Sequence, residues 1–357
     1  MAFLSAKGVR IAGLSVAVPR KIEENRDYPQ FSSEEAEKFI ATVGVERRHV
    51  SDKLLSSDLC VAAAEKLIAD LNWERESIDG LVVVTQTPDY YRPGNATLVQ
   101  GRLGLSTECA AVSLSFGCSG WVYGLQTAAS MINTGLTRVL LCCGEGNQAY
   151  SPLDKSTYPL FGSVGTCTAL EASSSGQSMH FHLCTNGDGW RAIHIPDGGY
   201  RNPPTSESNV LEAQAAGVTR SRLNVNMDGM SVFSFGISQP PKSIKSLSEH
   251  FNLSIEEIDY LLLHQANLFL NAKIAKKVGV PSEKCPHNIE DFGNSSSATI
   301  PLLMVTRLKE QLSSRPMRLI GCAFGVGLSW GSVYFETNKP VVSDLVLVED
   351  DYAAVYT

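Results

Sequence analysis

No two of the nine cysteines are spaced Cys-x-x-Cys, and their number is odd. That excludes a disulfide framework and leaves cysteine as a small apolar residue, as in a reducing compartment. No Cys/His spacing suits zinc. The glycine clusters match neither a dinucleotide fingerprint nor a phosphate-binding loop. The stretch Asn186-Gly187-Asp188-Gly189 is short of the ligands a calcium loop needs, so no metal site is read. No apolar run approaches the roughly 20 residues that span a bilayer. The opening stretch MAFLSAKGVRIAGLSVAVP is interrupted by Lys7 and Arg10 and reads as a buried strand, not a signal peptide. A soluble cytoplasmic protein with no membrane partner is expected. A basic excess is also lacking: 30 Lys and Arg against 37 Asp and Glu give a net charge of −7, which points away from nucleic acid.

With 357 residues, the chain is too long for one simple core and suits two domains or two fused halves. Its 43% hydrophobic and 19% charged residues mark it as globular. The halves repeat each other. SIDGLVVVTQT (77–87) lines up with EIDYLLLHQAN (257–267), and FGCSGWVYGL (116–125) with FGNSSSATIPL (292–302). TRVLLCCGE (137–145) lines up with MRLIGCAFG (317–325), and VGTCTALE (164–171) with SWGSVYFE (329–336). The offset stays near 180 until the last pair, where it falls to 165, so the first half carries an extra loop at about 147–161. Each half reads strand, helix, strand, helix, then two strands. That order predicts mainly parallel, mixed sheets covered by helices in one layered α/β body. The expected division is an N-terminal half, 1–175, and a C-terminal half, 176–357.

The repeat places Cys118 and Asn294 at equivalent positions and sets Thr85 or Gln86 opposite His264 and Gln265. If the halves pack about a pseudo-twofold axis, these positions converge outside the carboxyl ends of the strands, where parallel-sheet proteins place their sites. Cys118 lies between Gly117 and Gly120, at the start of a helix with apolar positions Val122, Leu125, Ala129 and Ile132 and a stop near Gly135. A thiol there meets the positive end of the helix dipole and unpaired N–H groups, which favour thiolate. The glycines are expected to allow a sharp strand-to-helix turn and close approach of a substrate. Taken singly, Cys118 reads first as a small buried turn residue, and Asn294 as a helix N-cap. His264 reads as a hydrogen-bonded histidine at a strand end. Together they suit a covalent acyl-enzyme with His and Asn donors for an oxyanion.

These residues resemble the thiolase-fold condensing enzymes, most closely the β-ketoacyl-[acyl-carrier-protein] synthase III family, over nearly the whole chain. CSGWVYGL (118–125) is similar to the family's cysteine-elbow motif, and HQAN (264–267) to its histidine segment. GNSSSATIPL (293–302) is similar to its asparagine segment, and FGVGLSWGS (324–332) to its glycine-rich loop. The resemblance implies a layered αβαβα fold of two duplicated halves and a two-step reaction of fatty acid biosynthesis. Cys118 would take an acyl group from an acyl-CoA or acyl-carrier-protein primer. Malonyl-carrier protein would then lose CO2, with His264 and Asn294 holding the enolate-like oxygen, and the carbanion would attack the acyl-cysteine. The resemblance further implies an acyl oxyanion held by the N–H groups of Cys118 and Val326, with Phe324 as a wall. It implies no metal or redox cofactor, and a homodimer. Two alternatives stay open: a non-decarboxylating acyltransferase of specialised metabolism using the same acyl-cysteine, or a partner subunit of a heterodimeric synthase.

The sequence also departs from the family pattern. GSVGT (162–166) has Ser163 for an acidic residue and Val164 for a glycine. Val326 replaces a glycine, and its β-branched side chain restricts φ to negative values. Phe39 and Lys155 stand where an adenine-stacking tryptophan and an arginine are usual, which weakens CoA recognition. Lys276 and Lys277 lie on a helix that could meet an acidic carrier protein or could form a plain solvated face. Arg92, in YYRPG, occupies the loop position that normally sends an apolar side chain into the neighbouring subunit's pocket. It could recognise a primer carboxylate there, form an internal ion pair, or turn outward.

Overall fold

The computed structural model describes residues 2–174 and 177–355, so the expected boundary at 175/176 lies outside the described residues. Three small two-stranded sheets aside, the strands among the described residues form two large sheets. Those of the first half are β1 (Ala2–Lys7), β2 (Val9–Pro19), β3 (Gly80–Val84), β4 (Ala110–Leu114), β5 (Arg138–Glu145) and β6 (Val164–Ala172). Those of the second half are β7 (Ser178–Thr185), β8 (Tyr260–Leu263), β9 (Pro316–Gly325), β10 (Ser329–Asn338), β11 (Val341–Val342) and β12 (Val346–Val348). One sheet runs β11-β2-β6-β5-β3-β4, with β12 also on β2; the other runs β1-β7-β10-β9-β8. The inner orders coincide, β2-β6-β5-β3 against β7-β10-β9-β8. The repeat in the sequence is a repeat of topology.

Both sheets are mixed. β3 runs parallel to β4 and β5, and β8 parallel to β9. The pairs β5–β6, β6–β2, β9–β10 and β10–β7 are antiparallel. Parallel pairs follow helical crossovers, whereas β9 and β10 are antiparallel because a turn joins them directly. The expected second strand of the C-terminal half is absent among the described residues. The stretch that would supply it forms short helical turns at Ser282–Lys284, Ile289–Phe292 and Ser296–Ala298. Pro281, Pro286, Gly293 and a run of serines there break any strand alternation. The termini cross over: β1 pairs with β7, while β11 and β12 pair with β2, so each half completes the other's edge.

The helices used below are α1 (Ser33–Val43), α2 (Ser56–Leu71), α3 (Gly120–Asn133), α4 (Gly229–Phe251), α5 (Leu268–Val278) and α6 (Thr299–Arg307). α3 and α6 fill the space between the sheets, α2 covers the first sheet, and α4 and α5 cover the second. This is the αβαβα layering. In α3, Trp121, Val122, Leu125, Ala128, Ala129 and Ile132 are all buried, as a helix sandwiched between two sheets requires. Trp121 spans the layers: its indole N–H donates to Thr168 of β6 at 3.1 Å, and its ring meets Phe335 of β10 edge-on at 5.8 Å. Gly135 ends the helix at φ 127°, a backbone that costs glycine little. Residues 146–163 join β5 to β6, but only 326–328 join β9 to β10, which is the extra loop read from the offset. No helix among the described residues is long and apolar enough to cross a membrane.

Candidate active site

Cys118 sits in the elbow between β4, which ends at Leu114, and α3, which begins at Gly120. The expected sharp strand-to-helix turn is present, and neither Gly117 nor Gly120 takes a positive φ to make it. What these glycines supply is space. A Cβ on Gly117 would fall 2.5 Å from Gln86 Oε1, and one on Gly120 would fall 2.6 Å from Val84 Cγ1. Gly325, at the end of β9, closes the other side: a Cβ there would lie 2.6 Å from Cys118 Cβ and 2.8 Å from Sγ.

The Cys118 side chain is only 7% exposed. Burial pushes the thiol up to about 11, against hydrogen bonds from the Ser296 hydroxyl and from the N–H groups of Val326 and Cys118 itself. The expected thiolate is therefore corrected. Dehydration outweighs the helix start, and the resting sulfur is a thiol at neutral pH.

His264 directly follows β8, where its N–H continues the ladder to Cys322 O at 2.9 Å. Its Nδ1 meets Thr299 Oγ1 at 2.8 Å, and Thr299 donates in turn to Ser296 O at 3.2 Å. Burial lowers the imidazole to about 3, opposed by a hydrogen bond with the Ser296 backbone, so the ring is neutral at working pH. Phe324 stands edge-on to it at 5.5 Å. Asn294 is held by backbone bonds, its N–H donating to Leu160 O (2.9 Å) and its C=O accepting from Gly162 N–H (3.1 Å). It is not the N-cap of α6, which is Ala298. Instead its Oδ1 accepts from Ser296 N–H at 2.9 Å, which leaves the side-chain amide N–H2 available.

Ser296 knits these groups together, and sequence reasoning missed it. Its backbone sits at φ 49°, unusual for a residue with a side chain. Its hydroxyl lies 3.9 Å from Cys118 Sγ and 3.4 Å from Glu145 Oε1. Glu145, at the end of β5, was missed as well. It is 5% exposed, and burial raises its carboxyl to about 8 against hydrogen bonds from Gln86, Thr87, Ser297 and Ser296. A signal was present: the repeat aligns Glu145 with Gly325, the residue that presses on Cys118.

Two further serines fix the turn at 326–328. Ser119 and Ser329 hydroxyls are 2.6 Å apart, and Ser329 donates to Val326 O at 2.7 Å. The positive φ of this turn falls on Gly327 (144°) and not on Val326, so the valine is accommodated without strain. A cavity of about 330 Å³ opens onto Cys118. Tyr150 and Phe161, stacked at 4.2 Å, line it with Ile193, Ile195 and Val225. The two aromatic residues come from the extra loop. His264 and Asn294, 1% and 5% exposed, are buried beside Ser296 and do not line this cavity.

The remaining candidates lie outside. Arg92 is exposed, and its guanidinium donates to a phenol, Tyr200 Oη at 3.3 Å, not to a carboxylate. Phe39 packs on Phe31 at 5.2 Å, and Lys155 pairs with Glu35 at 2.6 Å. Lys276 and Lys277 are exposed on α5, with Lys277 Nζ donating to Ile237 O at 2.8 Å. Ser163 is buried and donates to Asn147 Oδ1 at 2.8 Å, a neutral pair where the family pattern has an acid.

Comparison with known proteins decides the lineage. The family model for 3-oxoacyl-[acyl-carrier-protein] synthase III matches residues 113–187, which hold the Cys118 elbow. The model for the C terminal part of that synthase matches residues 248–337, which hold His264, Asn294 and Val326. The β-ketoacyl-[acyl-carrier-protein] synthase III of Lactococcus lactis subsp. lactis is 32% identical over 329 residues, 90% of this chain and 97% of its own. The chain belongs to the β-ketoacyl-[acyl-carrier-protein] synthase III family. Synthase III proteins are acyl-transferring condensing enzymes of the thiolase fold. The 3-oxoacyl-(acyl-carrier protein) synthase of Burkholderia xenovorans LB400 superposes with a TM-score of 0.91 at 36% identity, covering 97% of this chain and 99% of its own. The priming β-ketosynthase of the R1128 polyketide pathway, at 22% identity, shares the fold with a TM-score of 0.79, covering 94% of this chain and 98% of its own.

Proposed function

We propose that this synthase III family member forms an acyl-enzyme at Cys118 and extends it with malonyl-carrier protein, releasing CO2 and a β-ketoacyl-carrier protein. The observation that carries the proposal is the placement of Cys118. Its thiol opens into an apolar cavity and also meets Ser296, to which Asn294 and His264 are tied. In the first step the sulfur attacks the primer thioester, and the N–H groups of Cys118 and Val326 receive the developing oxyanion. In the second, the Thr299 hydroxyl turns to donate to His264 Nδ1, so that the neutral ring donates through Nε2, and with the Asn294 amide it holds the malonyl thioester oxygen as CO2 leaves. The carbanion then attacks the acyl carbon, and Cys118 sulfur is the leaving group. These steps draw on no metal or redox group.

The cavity's aromatic and branched walls suit an apolar primer. Phe39 and Lys155 are both engaged within the chain and offer little to an adenine. Lys276 and Lys277 are the basic groups we assign to carrier-protein docking. A homodimer is supported by β4, which among the described residues pairs only with β3 and exposes Ala110, Ala111, Val112 and Ser113 along a free edge. Beyond the same elbow side, Tyr90, Tyr91 and Tyr200 are 61%, 75% and 84% exposed around Arg92. All nine cysteines are unbridged, as a cytoplasmic enzyme requires.

The test is intact-mass measurement with a panel of acyl-CoAs and acyl-carrier proteins, followed by CO2 release from malonyl-carrier protein. At least one donor should add an acyl mass to the wild type and none to Cys118→Ala. A wild type that never gains mass refutes the acyl-enzyme. A fully acylated enzyme that releases no CO2 is instead a non-decarboxylating acyltransferase.

A further inference from the structure

We propose that Glu145 stores the proton of Cys118 during the acyl-enzyme's lifetime, reached through the Ser296 hydroxyl. The inference rests on the reading of Cys118 as the acyl acceptor. Each turnover must take a proton from that sulfur and give it back. On acylation the S–C bond forms, the donor's C–S bond breaks, and the thiol proton passes to Ser296 oxygen while the Ser296 proton passes to the Glu145 carboxylate. The departing donor thiolate takes its proton from solvent. On condensation the C–C bond forms, the Cys118 S–C bond breaks, and the same path returns the proton to the sulfur. Glu145 is then a carboxylate again.

The geometry places the Ser296 hydroxyl within reach of both groups. Ser296 Oγ is 3.9 Å from Cys118 Sγ and 3.4 Å from Glu145 Oε1. These are long contacts of the kind that tighten when a substrate fills an open site. The Ser296 backbone is locked on both sides, its N–H on Asn294 Oδ1 and its C=O on Thr299. The carboxyl is locked too, by Gln86 N–H at 3.2 and 3.3 Å, Thr87 Oγ1 at 3.2 Å and Ser297 Oγ at 3.4 Å. No lysine or arginine lines the cavity among the described residues. The titratable groups that face Glu145 are Cys118, Cys143 of its own strand, Cys60 of α2 and Tyr150 of the extra loop, with His194 across the cavity. A carboxyl without a cationic partner holds a proton readily, which a store requires. His264 is poorly suited to the task, since burial leaves it too weak a base. Glu145 acts through Ser296 and is a positioning residue; Ser296 meets the reacting sulfur.

The experiment is a quenched time course of acylation, read by intact mass across about pH 6 to 9. Wild type, Glu145→Gln, Glu145→Asp and Ser296→Ala are compared, with Cys118→Ala as control. The wild-type rate should rise through the ionisation of Glu145, near about 8. Glu145→Gln should slow acylation by about 10²-fold and remove the inflection, and Glu145→Asp should restore part of both. Ser296→Ala should remove the inflection with the carboxyl still present. A Glu145→Gln enzyme with the wild-type rate and pH profile overturns the proposal. If Glu145→Gln does not fold, the Ser296→Ala profile decides: a retained inflection overturns it. Absence of any adduct on the wild type refutes the Cys118 reading instead.

Discussion

Glu145 and His264 are displaced in opposite directions by one cause, loss of water. Burial raises the carboxyl from 4.5 to about 8 and lowers the imidazole from 6.5 to about 3. Between pH 4.5 and 8 the folded chain keeps a carboxyl proton that the unfolded chain has lost, so this group's contribution to stability falls as pH rises. Below pH 6.5 the unfolded imidazole takes up a proton that the folded one refuses, so stability also falls as pH drops. Glu145→Gln removes the first effect alone. Its melting temperature, read by circular dichroism, should match wild type near pH 4.5 and exceed it increasingly toward pH 8. A gap that does not change with pH would show that the carboxyl is not shifted. Asn294→Ala should keep the acyl adduct and lower CO2 release by about 10²-fold; equal loss of both would place Asn294 in acylation. Gly325→Ala puts a methyl group 2.8 Å from Cys118 Sγ. It should cost about 1–3 kcal/mol in denaturant unfolding and slow adduct formation. Cys118, His264 and Asn294 were legible in the sequence because each lies inside a repeated motif, Cys118 and Asn294 at equivalent positions. Ser296 and Glu145 were not read as functional, because a serine in a serine run and a glutamate after an apolar stretch have no local mark of function, and the repeat marks only the position of Glu145, opposite Gly325. Only their contact across the two halves gives them one.

At the scale of elements, α3 does two jobs. It presents Cys118 at its start and carries Trp121 between the sheets. Trp121→Ala should cost about 3–5 kcal/mol in denaturant unfolding, since the indole is fully buried and bridges Thr168 and Phe335. A loss below 1 kcal/mol would mean that the layers close over the gap. The helix was legible from its apolar spacing and its Gly135 stop. The absence of a C-terminal counterpart to β4 was not, because the repeat continues through motifs on either side of it. Prolines and serines decide that segment locally, and its short turns are what bring Asn294 and Ser296 to the elbow.

For the whole molecule, the free edge of β4 is the feature that bears on assembly. An exposed, uncharged edge strand invites pairing with a second copy. In the homodimer proposed above, Val112→Lys should shift the protein toward monomer in sedimentation velocity, with loss of activity if the loop around Arg92 serves the partner. An unchanged dimer would move the interface elsewhere.

Composition, repeat and motif spacing by themselves determined the layered α/β class, the duplicated halves, the extra loop and the candidates Cys118, His264 and Asn294, because these are carried by local pattern and residue type. Tertiary structure alone decided the protonation of the site. A cysteine at a helix start reads as thiolate until the burial of its sulfur is known, and a strand-end glutamate reads as solvated until three segments close over it. Desolvation is a property of the packed molecule, and no stretch of sequence contains it.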